Sequence, residues 1–218
     1  MSKTDLGAPE APRLMSRPLG VFVAIEGVDA VGKRTQTSLL LSRLRAEGLS
    51  SHALSFPAYE TAIGKEIRRF LAGRASYPPQ ARAMLYAANR WEKKTELQEL
   101  ISKTDAVIVD RYSGSNLAYG VSMGLDLKWL VSLESGLPEP DVTLVLDAPL
   151  ENVMPRRGRG KDSYESNRQL QEKARGAYLR LAAKFGWTVI DADRGIESVG
   201  KSIASTILTV MEEKRRTI

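Results

Sequence analysis

A short stretch near the amino end has the residue types and spacing of a loop that binds phosphate groups. It reads Gly27-Val28-Asp29-Ala30-Val31-Gly32-Lys33-Arg34 and is followed by Thr35. The glycines let the backbone turn tightly, so that successive N–H groups point inward at phosphate oxygens. Lys33 adds a cation for the β- and γ-phosphates, and the helix expected from Thr35 adds its positive end. Residues 27–35 are therefore predicted to bind a nucleotide such as ATP.

The residue after Lys33 departs from the usual pattern of such loops. A Ser or Thr there would place a hydroxyl on Mg²⁺, but this chain has Arg34. Thr35 is no simple replacement, because the next helical residue points ~100° further round the axis. One explanation is that the carboxylates of Asp29 and Asp110 hold the metal while Arg34 adds charge near the phosphates. The other is that the loop binds nucleotide but has lost catalysis; the motifs below favour the first.

A second group of polar residues follows a predicted buried strand. Asp110, at the end of that strand, can orient a metal-bound water or the attacking phosphate, and Arg111 beside it can make bidentate contact with a phosphate. Asn116 and Tyr119 are three residues apart, so they can share one face of a helix. These residues predict a phosphate-handling site next to the loop.

Tyr86 and Arg90 form a further candidate pair at i, i+4 spacing on a predicted helix. A ring and a guanidinium on one face could receive a nucleotide base. The alternative is that Tyr86 belongs to the core and Arg90 pairs with Glu92 or Glu96 at the surface.

Strands and helices alternate along the chain in a way that would position these residues. Short apolar runs predict five strands, at residues 21–25, 53–56, 106–110, 142–147 and 188–191. Helical patterns cover residues 35–47, 61–72, 78–102, 150–156, 165–184 and 196–214. This order predicts a three-layer α/β/α fold with a parallel five-stranded sheet. Several strands end in Glu or Asp, which places carboxylates along the edge where such sheets bind ligands.

Length and composition are those of one folded domain. The chain has 218 residues, 43% of them hydrophobic, which predicts a single domain over residues 19–218 behind a loose extension at residues 1–18. No apolar run approaches the ~20 residues of a membrane span, and the extension lacks the apolar region of a signal peptide. The chain has no Cys, which excludes a disulfide framework. We expect a soluble, cytoplasmic protein with no membrane partner.

The net charge of +6 invites a nucleic-acid hypothesis. However, the basic residues do not form one stripe interleaved with aromatics. Their densest cluster is Arg156, Arg157, Arg159 and Lys161. An enzyme that handles two polyanionic nucleotides needs such charge, and we expect no nucleic-acid partner.

From Val21 onward the chain resembles the thymidylate kinase family over essentially its whole length. The motifs that carry the resemblance are Glu26-Gly27-Val28-Asp29 with Gly32-Lys33 and Thr35-Gln36, Phe56-Pro57, Asn89-Arg90-Trp91-Glu92, Asp110-Arg111-Tyr112, Ser115-Asn116 with Tyr119, Gly136-Leu137-Pro138 with Pro140-Asp141, and Arg157-Gly158 with Tyr164-Glu165. Any one of these motifs would be weak evidence for the family, but all of them in this order are strong evidence. The resemblance implies a P-loop kinase fold with a short mobile lid near residues 156–165, and a homodimer.

The resemblance also implies roles for residues that would bind dTMP. Asp29 would touch the sugar 3′-OH and help organise Mg²⁺, Arg111 would grip the acceptor phosphate, and Tyr119 would pack under the sugar, where a ribose 2′-OH would clash. Tyr86 stands where the family usually has a Phe stacking on thymine, and Arg90 would hydrogen-bond the base. Because Arg only donates, it suits the O4 of thymine and rejects the N4 amino group of cytosine. The remaining residues implied in the pocket are Phe56, Asn116 and Tyr164.

Two features of the chain depart from the family pattern. Many members carry an Arg after Phe-Pro that grips the acceptor phosphate, whereas this chain has Ala58-Tyr59, so phosphate binding would rest on Arg111 and the Tyr59 hydroxyl. The loop has Ala30 where eukaryotic-type members carry an Arg. The Arg-rich segment resembles the bacterial arrangement, in which a lid supplies the catalytic arginine, here Arg157 or Arg159.

The resemblance implies transfer of the γ-phosphoryl group of ATP to dTMP, with Mg²⁺ as cofactor and Lys33 among the catalytic residues. Two alternatives stay open. The chain could act on another pyrimidine nucleoside monophosphate, with dUMP the closest competitor. It could also be a nucleotide-binding regulatory or nucleic-acid-associated protein in which Arg34 has weakened or abolished catalysis.

Overall fold

The centre of the molecule is a five-stranded parallel sheet. The structure is a computed structural model that describes residues 20–153 and 167–217. Its strands run in the order β2-β3-β1-β4-β5. They are β1 (Val21–Glu26), β2 (Ser51–Ser55), β3 (Ala106–Asp110), β4 (Val142–Asp147) and β5 (Thr188–Asp191). The predicted α/β class and the parallel sheet are confirmed.

The central strands are apolar on both faces because helices cover both. All six residues of β1 are buried. Val21, Val23 and Ile25 pack in one hydrophobic cluster with Leu40 and Leu44 of the first helix. Phe22 and Ala24 point the other way, into a second cluster that contains Leu97. A side-chain period of two on a strand buried twice explains the continuous apolar run.

The helices connect and cover the strands. They are α1 (Lys33–Ala46), α2 (Ala62–Leu71), α3 (Pro79–Glu92), α4 (Lys94–Lys103), α5 (Ser113–Ser122), α6 (Leu127–Glu134), α7 (Leu150–Val153), α8 (Arg168–Phe185) and α9 (Ile196–Thr217). The long helices α1, α8 and α9 lie within two or three residues of their predicted bounds.

Two helical segments differ from the sequence-based expectation. The helix predicted over residues 78–102 is interrupted at Lys93, whose φ of −101° and ψ of 4° end α3 before α4 begins. Its apolar spacing continues across the break, so the pattern alone could not locate it. α6 was not predicted, although Asp126 caps it by accepting a hydrogen bond from the Trp129 N–H at 2.8 Å.

The ends of the strands bring the predicted carboxylates to one edge of the sheet. Ile25 pairs in register with Asp110, and Ser55 pairs with Asp110 from the other side. Asp147 likewise lies beside Asp191. The helices α1 and α5 begin just beyond this edge, after β1 and β3. None of the helices within residues 20–153 and 167–217 has the length and apolar character that crossing a membrane requires.

Candidate active site

A cleft of about 950 Å³ opens at this edge of the sheet. Its wall includes residues 29–36 of the glycine-containing loop and α1, the residues at the ends of β2 and β3, and side chains from α3 and α5. Ala192, Arg194, Gly195 and Ile196, before and at the start of α9, also line it. A cleft of this size fits small organic ligands, and it lies where open α/β sheets bind them.

The glycine-containing loop has the backbone that its sequence predicted. Gly27 and Gly32 have φ of 135° and 104°, which L-residues with a side chain rarely adopt. A Cβ on Gly27 would also lie 2.5 Å from the Leu146 carbonyl oxygen. Ala30 has a left-handed φ of 61° without being a glycine, a strained conformation of the kind found at functional sites. Arg34 and Thr35 are exposed on the first turn of α1 and line the cleft.

Lys33 is almost fully buried at 6% exposure, and its ammonium group lies against the loop backbone. Its Nζ donates to the carbonyl oxygens of Gly27 at 3.1 Å and Val28 at 2.8 Å. An ammonium group has three N–H donors, so one remains for a phosphate. Burial and the charge of Arg111 lower the pKa of Lys33 to about 8, against the attraction of Asp110, Asp29 and Glu26.

Asp29 and Arg111 form an ion pair between the loop and the end of β3. Nη2 of Arg111 bonds Oδ1 of Asp29, and Nη1 donates to the Gly27 carbonyl at 3.1 Å. Oδ2 of Asp29 accepts from Gln171 Nε2 at 2.6 Å and from the Tyr119 hydroxyl at 3.1 Å. Burial alone would raise the pKa of Asp29, but Arg111 and Lys33 outweigh it and lower that pKa to about 2. The carboxylate is therefore ionised and its orientation is fixed.

A buried carboxylate holds the turn that carries Arg111. Glu26 is fully buried and accepts from the Tyr112 N–H at 2.8 Å and the Ser115 hydroxyl at 2.6 Å. Ser115 in turn accepts from Arg111 Nη1 at 3.2 Å, while Arg111 itself has a φ of 64°. Burial raises the pKa of Glu26, although the hydrogen bonds from Ser115 and Tyr112 oppose that rise.

Asp110 has a carboxylate oxygen that is available to bind a ligand. Its Oδ1 is buried and has no hydrogen-bond partner within the described parts of the chain. Among these residues no group of three or more Asp, Glu, His or Cys side chains is placed to hold a metal by itself. Mg²⁺ is commonly bound by one or two carboxylates plus substrate phosphates, so Asp110 fits such a site. Both oxygens of Asp29 are already hydrogen-bonded, which makes Asp29 the weaker of the two predicted ligands.

Tyr86 and Arg90 both line the far end of the cleft. Arg90 is buried at 3% exposure and pairs with Glu134 of α6, through Nε to Oε2 at 2.8 Å and through Nη2 to Oε1. The alternative partners were wrong: Glu92 bonds Thr61, and Glu96 pairs with Lys93. Tyr86 packs at the edge of a small cluster under α2 rather than in the main core.

Tyr119 and Asn116 project from α5 into the same cleft. The Tyr119 ring packs edge-on against Tyr178, with ring centroids 6.3 Å apart, and the Arg111 guanidinium lies over it. Nδ2 of Asn116 donates to Glu134 Oε1 at 2.7 Å and to the Ala83 carbonyl at 3.2 Å, so Asn116 ties α5 to α6 and α3. Phe56 and Tyr59 complete this wall, and the Arg68 guanidinium lies over the Tyr59 ring.

The predicted site residues that the structure describes line the cleft, except Gly27 and Val28, whose carbonyl oxygens hold Lys33. Arg157, Arg159 and Tyr164 lie outside the described residues, as do the predicted lid and residues 1–18. Sequence reasoning missed Gln171 of α8, which is fully buried against Asp29, and Glu134, which holds Arg90. Each is a single polar residue on an amphipathic helix, and only the tertiary structure shows its partner.

The fold and this cleft define a class: a P-loop kinase in which a phosphate-binding loop faces a pocket for a second nucleotide. The family model described as thymidylate kinase matches residues 25–203. Thymidylate kinase from Homo sapiens is 33% identical over 192 residues, covering 87% of this chain and 90% of the human one. The Dictyostelium discoideum enzyme is 33% identical over 187 residues, which is 85% of this chain and 84% of that one.

A solved structure of thymidylate kinase from Candida albicans superposes with a TM-score of 0.76 and is 32% identical. It covers 88% of this chain and 92% of that chain. The chain belongs to the thymidylate kinase family, and the resemblance inferred from its motifs is confirmed.

Proposed function

We propose that this protein transfers the γ-phosphoryl group of ATP to dTMP, giving ADP and dTDP for dTTP biosynthesis. The observation that carries the proposal is the ion pair of Asp29 and Arg111. It joins the phosphate-binding loop to the wall that holds Tyr119 and Arg90, so donor and acceptor sites share one cleft. Phosphoryl transfer asks little covalent chemistry of the protein, which must align two nucleotides and stabilise the charge on the transferred group.

On the donor side, the loop N–H groups and Lys33 would hold the phosphates of ATP. The free N–H of Lys33 suits a β- or γ-phosphate oxygen, and Arg34 on the first turn of α1 would add charge from the solvent side. Ala192, Arg194 and Gly195 would receive the adenosine end, because they line the same cleft beside α1, where Gln36 Nε2 donates to the Ile196 carbonyl at 3.0 Å.

On the acceptor side, Arg111 would grip the phosphate of dTMP and Tyr119 would lie under its deoxyribose. Asp29 would orient the sugar 3′-OH, and its low pKa keeps it an acceptor at neutral pH. At the base end, Tyr86 would stack on thymine and Arg90 would donate to O4. Phe56, Tyr59, Asn116 and Tyr164 would complete the pocket.

The proposed metal is Mg²⁺, held chiefly by Asp110, whose Oδ1 has no partner among the described residues, with Asp29 nearby. When bound, Mg²⁺ would neutralise charge on the β- and γ-phosphates. Arg34 replaces the loop hydroxyl, so the metal would depend on Asp110 more than in loops that carry Ser or Thr.

The family resemblance implies a lid that carries the catalytic arginine. Arg157 or Arg159 would supply positive charge to the transferring phosphoryl group, a contribution worth ~10³–10⁵ in rate in related reactions. We propose that residues 19–218 act as one domain with this lid at residues 156–165, behind the extension at residues 1–18.

The proposed setting is the cytoplasm, as a homodimer without nucleic-acid or membrane partners. Exposed apolar side chains on two neighbouring helices, Met84 and Trp91 of α3 and Val131 of α6, support the dimer. Two arginines of the cleft are paired with carboxylates, Arg111 with Asp29 and Arg90 with Glu134. That pairing suits a small-molecule site rather than a nucleic-acid surface.

A panel of acceptors tests the proposal directly. ADP formation would be measured with ATP, Mg²⁺ and each of dTMP, dUMP, dCMP, UMP and CMP. We expect dTMP to give the highest kcat/KM and dUMP to follow, because a single methyl is worth only ~1–3 kcal/mol. The Candida albicans relative is described as having broad substrate specificity, in line with some dUMP turnover. Equal kcat/KM for UMP and dTMP would contradict the role of Tyr119, and preference for dCMP would contradict that of Arg90.

A further inference from the structure

Glu134 makes the closest contacts to the arginine at the base end of the cleft. Its carboxylate takes the Nε–H of Arg90 at 2.8 Å and one N–H of Nη2, a side-on bidentate pair. Glu134 Oε1 also accepts from Asn116 Nδ2 at 2.7 Å. Next to it in the chain, the Leu133 carbonyl accepts from the indole N–H of Trp91 at 3.2 Å. Two hydrogen bonds and an ion pair therefore lock the end of α6 to α3 and α5.

The pair of Arg90 and Glu134 is buried, and its two opposite charges cancel. The side chains of Arg90 and Glu134 are only 2% and 10% exposed. A guanidinium has five N–H donors in one plane, and Glu134 uses two of them along one side. The Nη1 donors remain on a side chain that lines the cleft. The carboxylate thus determines in which plane those donors are presented.

The absence of net charge on the Arg90–Glu134 pair also affects which ligand groups Arg90 attracts. A buried arginine without a counter-charge would attract any anion that enters the cleft, including a nucleotide phosphate. Once Glu134 compensates its charge, Arg90 acts as an oriented hydrogen-bond donor, which suits a neutral carbonyl oxygen on a base.

We propose that Glu134 is a positioning residue that sets base selectivity by holding Arg90 toward a pyrimidine with a carbonyl acceptor at position 4. The inference rests on the proposed function, since it assigns a controlling residue to the base end of the same acceptor site. Glu134 is not a catalytic residue, because it touches Arg90 and Asn116 rather than the reacting atoms.

The test compares dTMP and dCMP turnover in Glu134→Gln and wild-type protein. Gln keeps the size but loses the charge and one acceptor, so Arg90 can turn. We expect the ratio of kcat/KM for dTMP to that for dCMP to fall by ~10-fold or more, through a higher KM for dTMP with kcat within about threefold. In an Arg90→Gln background the same Glu134 substitution should leave the ratio unchanged. Glu99→Gln, which removes a surface partner of Lys103 on α4, is the matched control.

The ratio is measured with both substrates on one preparation, so partial unfolding of the variant does not affect it. Glu134→Asp is the second variant, because it keeps the charge but moves the carboxylate away from Arg90. If Glu134 acts by positioning Arg90, this variant should also lower the ratio of kcat/KM for dTMP to that for dCMP. An unchanged ratio in Glu134→Gln, with equal losses for the two substrates, would mean a structural role only and would overturn the inference. Failure of the proposed function is a separate result, because wild-type protein itself would then show no preference for dTMP.

Discussion

At the scale of single residues, the site is a chain of charges that neutralise one another across the sheet edge. Lys33 lies against the loop carbonyls, Asp29 pairs with Arg111, and Arg111 reaches Ser115, which bonds Glu26. Each group therefore titrates according to its neighbours rather than by itself. The phosphate oxygens of a nucleotide would enter this network as additional negative charge.

Proton uptake on nucleotide binding follows from the pKa of Lys33. That pKa is lowered to about 8, below its value in the unfolded chain, so at pH 8 the ammonium is roughly half protonated in the free protein. A bound polyphosphate favours the charged form and raises the pKa, so binding should draw a proton from the buffer. Titration calorimetry of a non-hydrolysable ATP analogue at pH 8, in buffers of different ionisation enthalpy, should report uptake of roughly half a proton.

Lys33→Met provides the control for that experiment, since it keeps the length of the side chain and has no proton to gain. It should show no uptake from this source at analogue concentrations that saturate it. Equal proton uptake by the variant and by wild-type protein would show that Lys33 is already fully charged in the free protein.

The sequence indicated many of the residues that line the cleft, but it did not indicate several of the contacts that hold them in place. The loop, Asp110-Arg111 and Tyr119 were found because their spacing is tied to strand ends and helix faces, which are local features. Arg90 lines the cleft, but its partner Glu134 is 44 residues away on a helix that was not predicted. Gln171 lies 142 residues from Asp29. Contacts of such separation are fixed by packing and leave no periodic signal.

At the scale of elements, strands were predicted more accurately than helix ends. The apolar runs of β3 and β4 match their observed bounds because both strands are buried among helices and flanked by polar residues. The break at Lys93 was missed because neither Gly nor Pro marks it, and apolar residues keep their spacing through it. The short α6 was missed because its eight residues span little more than two turns and only Leu130 among them is buried, which leaves no clear helical period.

Close packing of α2 on the loop after β2 yields a stability prediction. A Cβ on Gly64 would lie 1.8 Å from the carbonyl oxygen of Ala58, whose N–H is held by Asn89 at 2.8 Å. Gly64→Ala must therefore push α2 away from the loop that carries Phe56 and Tyr59. We expect a loss of ~1–3 kcal/mol in the free energy of unfolding, measured by urea denaturation, together with a higher KM for dTMP.

Gly176→Ala on α8 is the matched control for Gly64→Ala. The nearest atom to its Cβ is Nη1 of Arg180 at 3.2 Å, the far end of a flexible side chain. Removing a helical glycine there should leave stability unchanged or raise it by up to ~1 kcal/mol. If both variants unfolded at the wild-type urea concentration, the tight contact between α2 and Ala58 would not exist in solution.

At the scale of the whole molecule, apolar side chains are exposed where α3 and α6 lie side by side. Met84, Trp91 and Val131 are 49%, 41% and 40% exposed. If this surface joins two copies, Met84→Lys combined with Val131→Lys should convert the dimer into monomer, as measured by sedimentation velocity. Leu179→Lys, which changes an exposed apolar residue of α8, should leave the sedimentation coefficient unchanged. A wild-type protein that sediments as a monomer at all concentrations would contradict the homodimer.

The proposed kinase activity requires that a loop with Arg34 in place of the metal-binding hydroxyl still supports phosphoryl transfer to dTMP. The most direct measurement incubates the protein with γ-³²P-labelled ATP, dTMP and Mg²⁺ and separates the nucleotides by chromatography. We expect the label to appear in dTDP, at a rate that falls to background when EDTA removes the metal. The proposed activity would be contradicted if the protein bound the ATP analogue yet transferred no label to dTMP, since the chain would then be a nucleotide-binding protein without kinase activity.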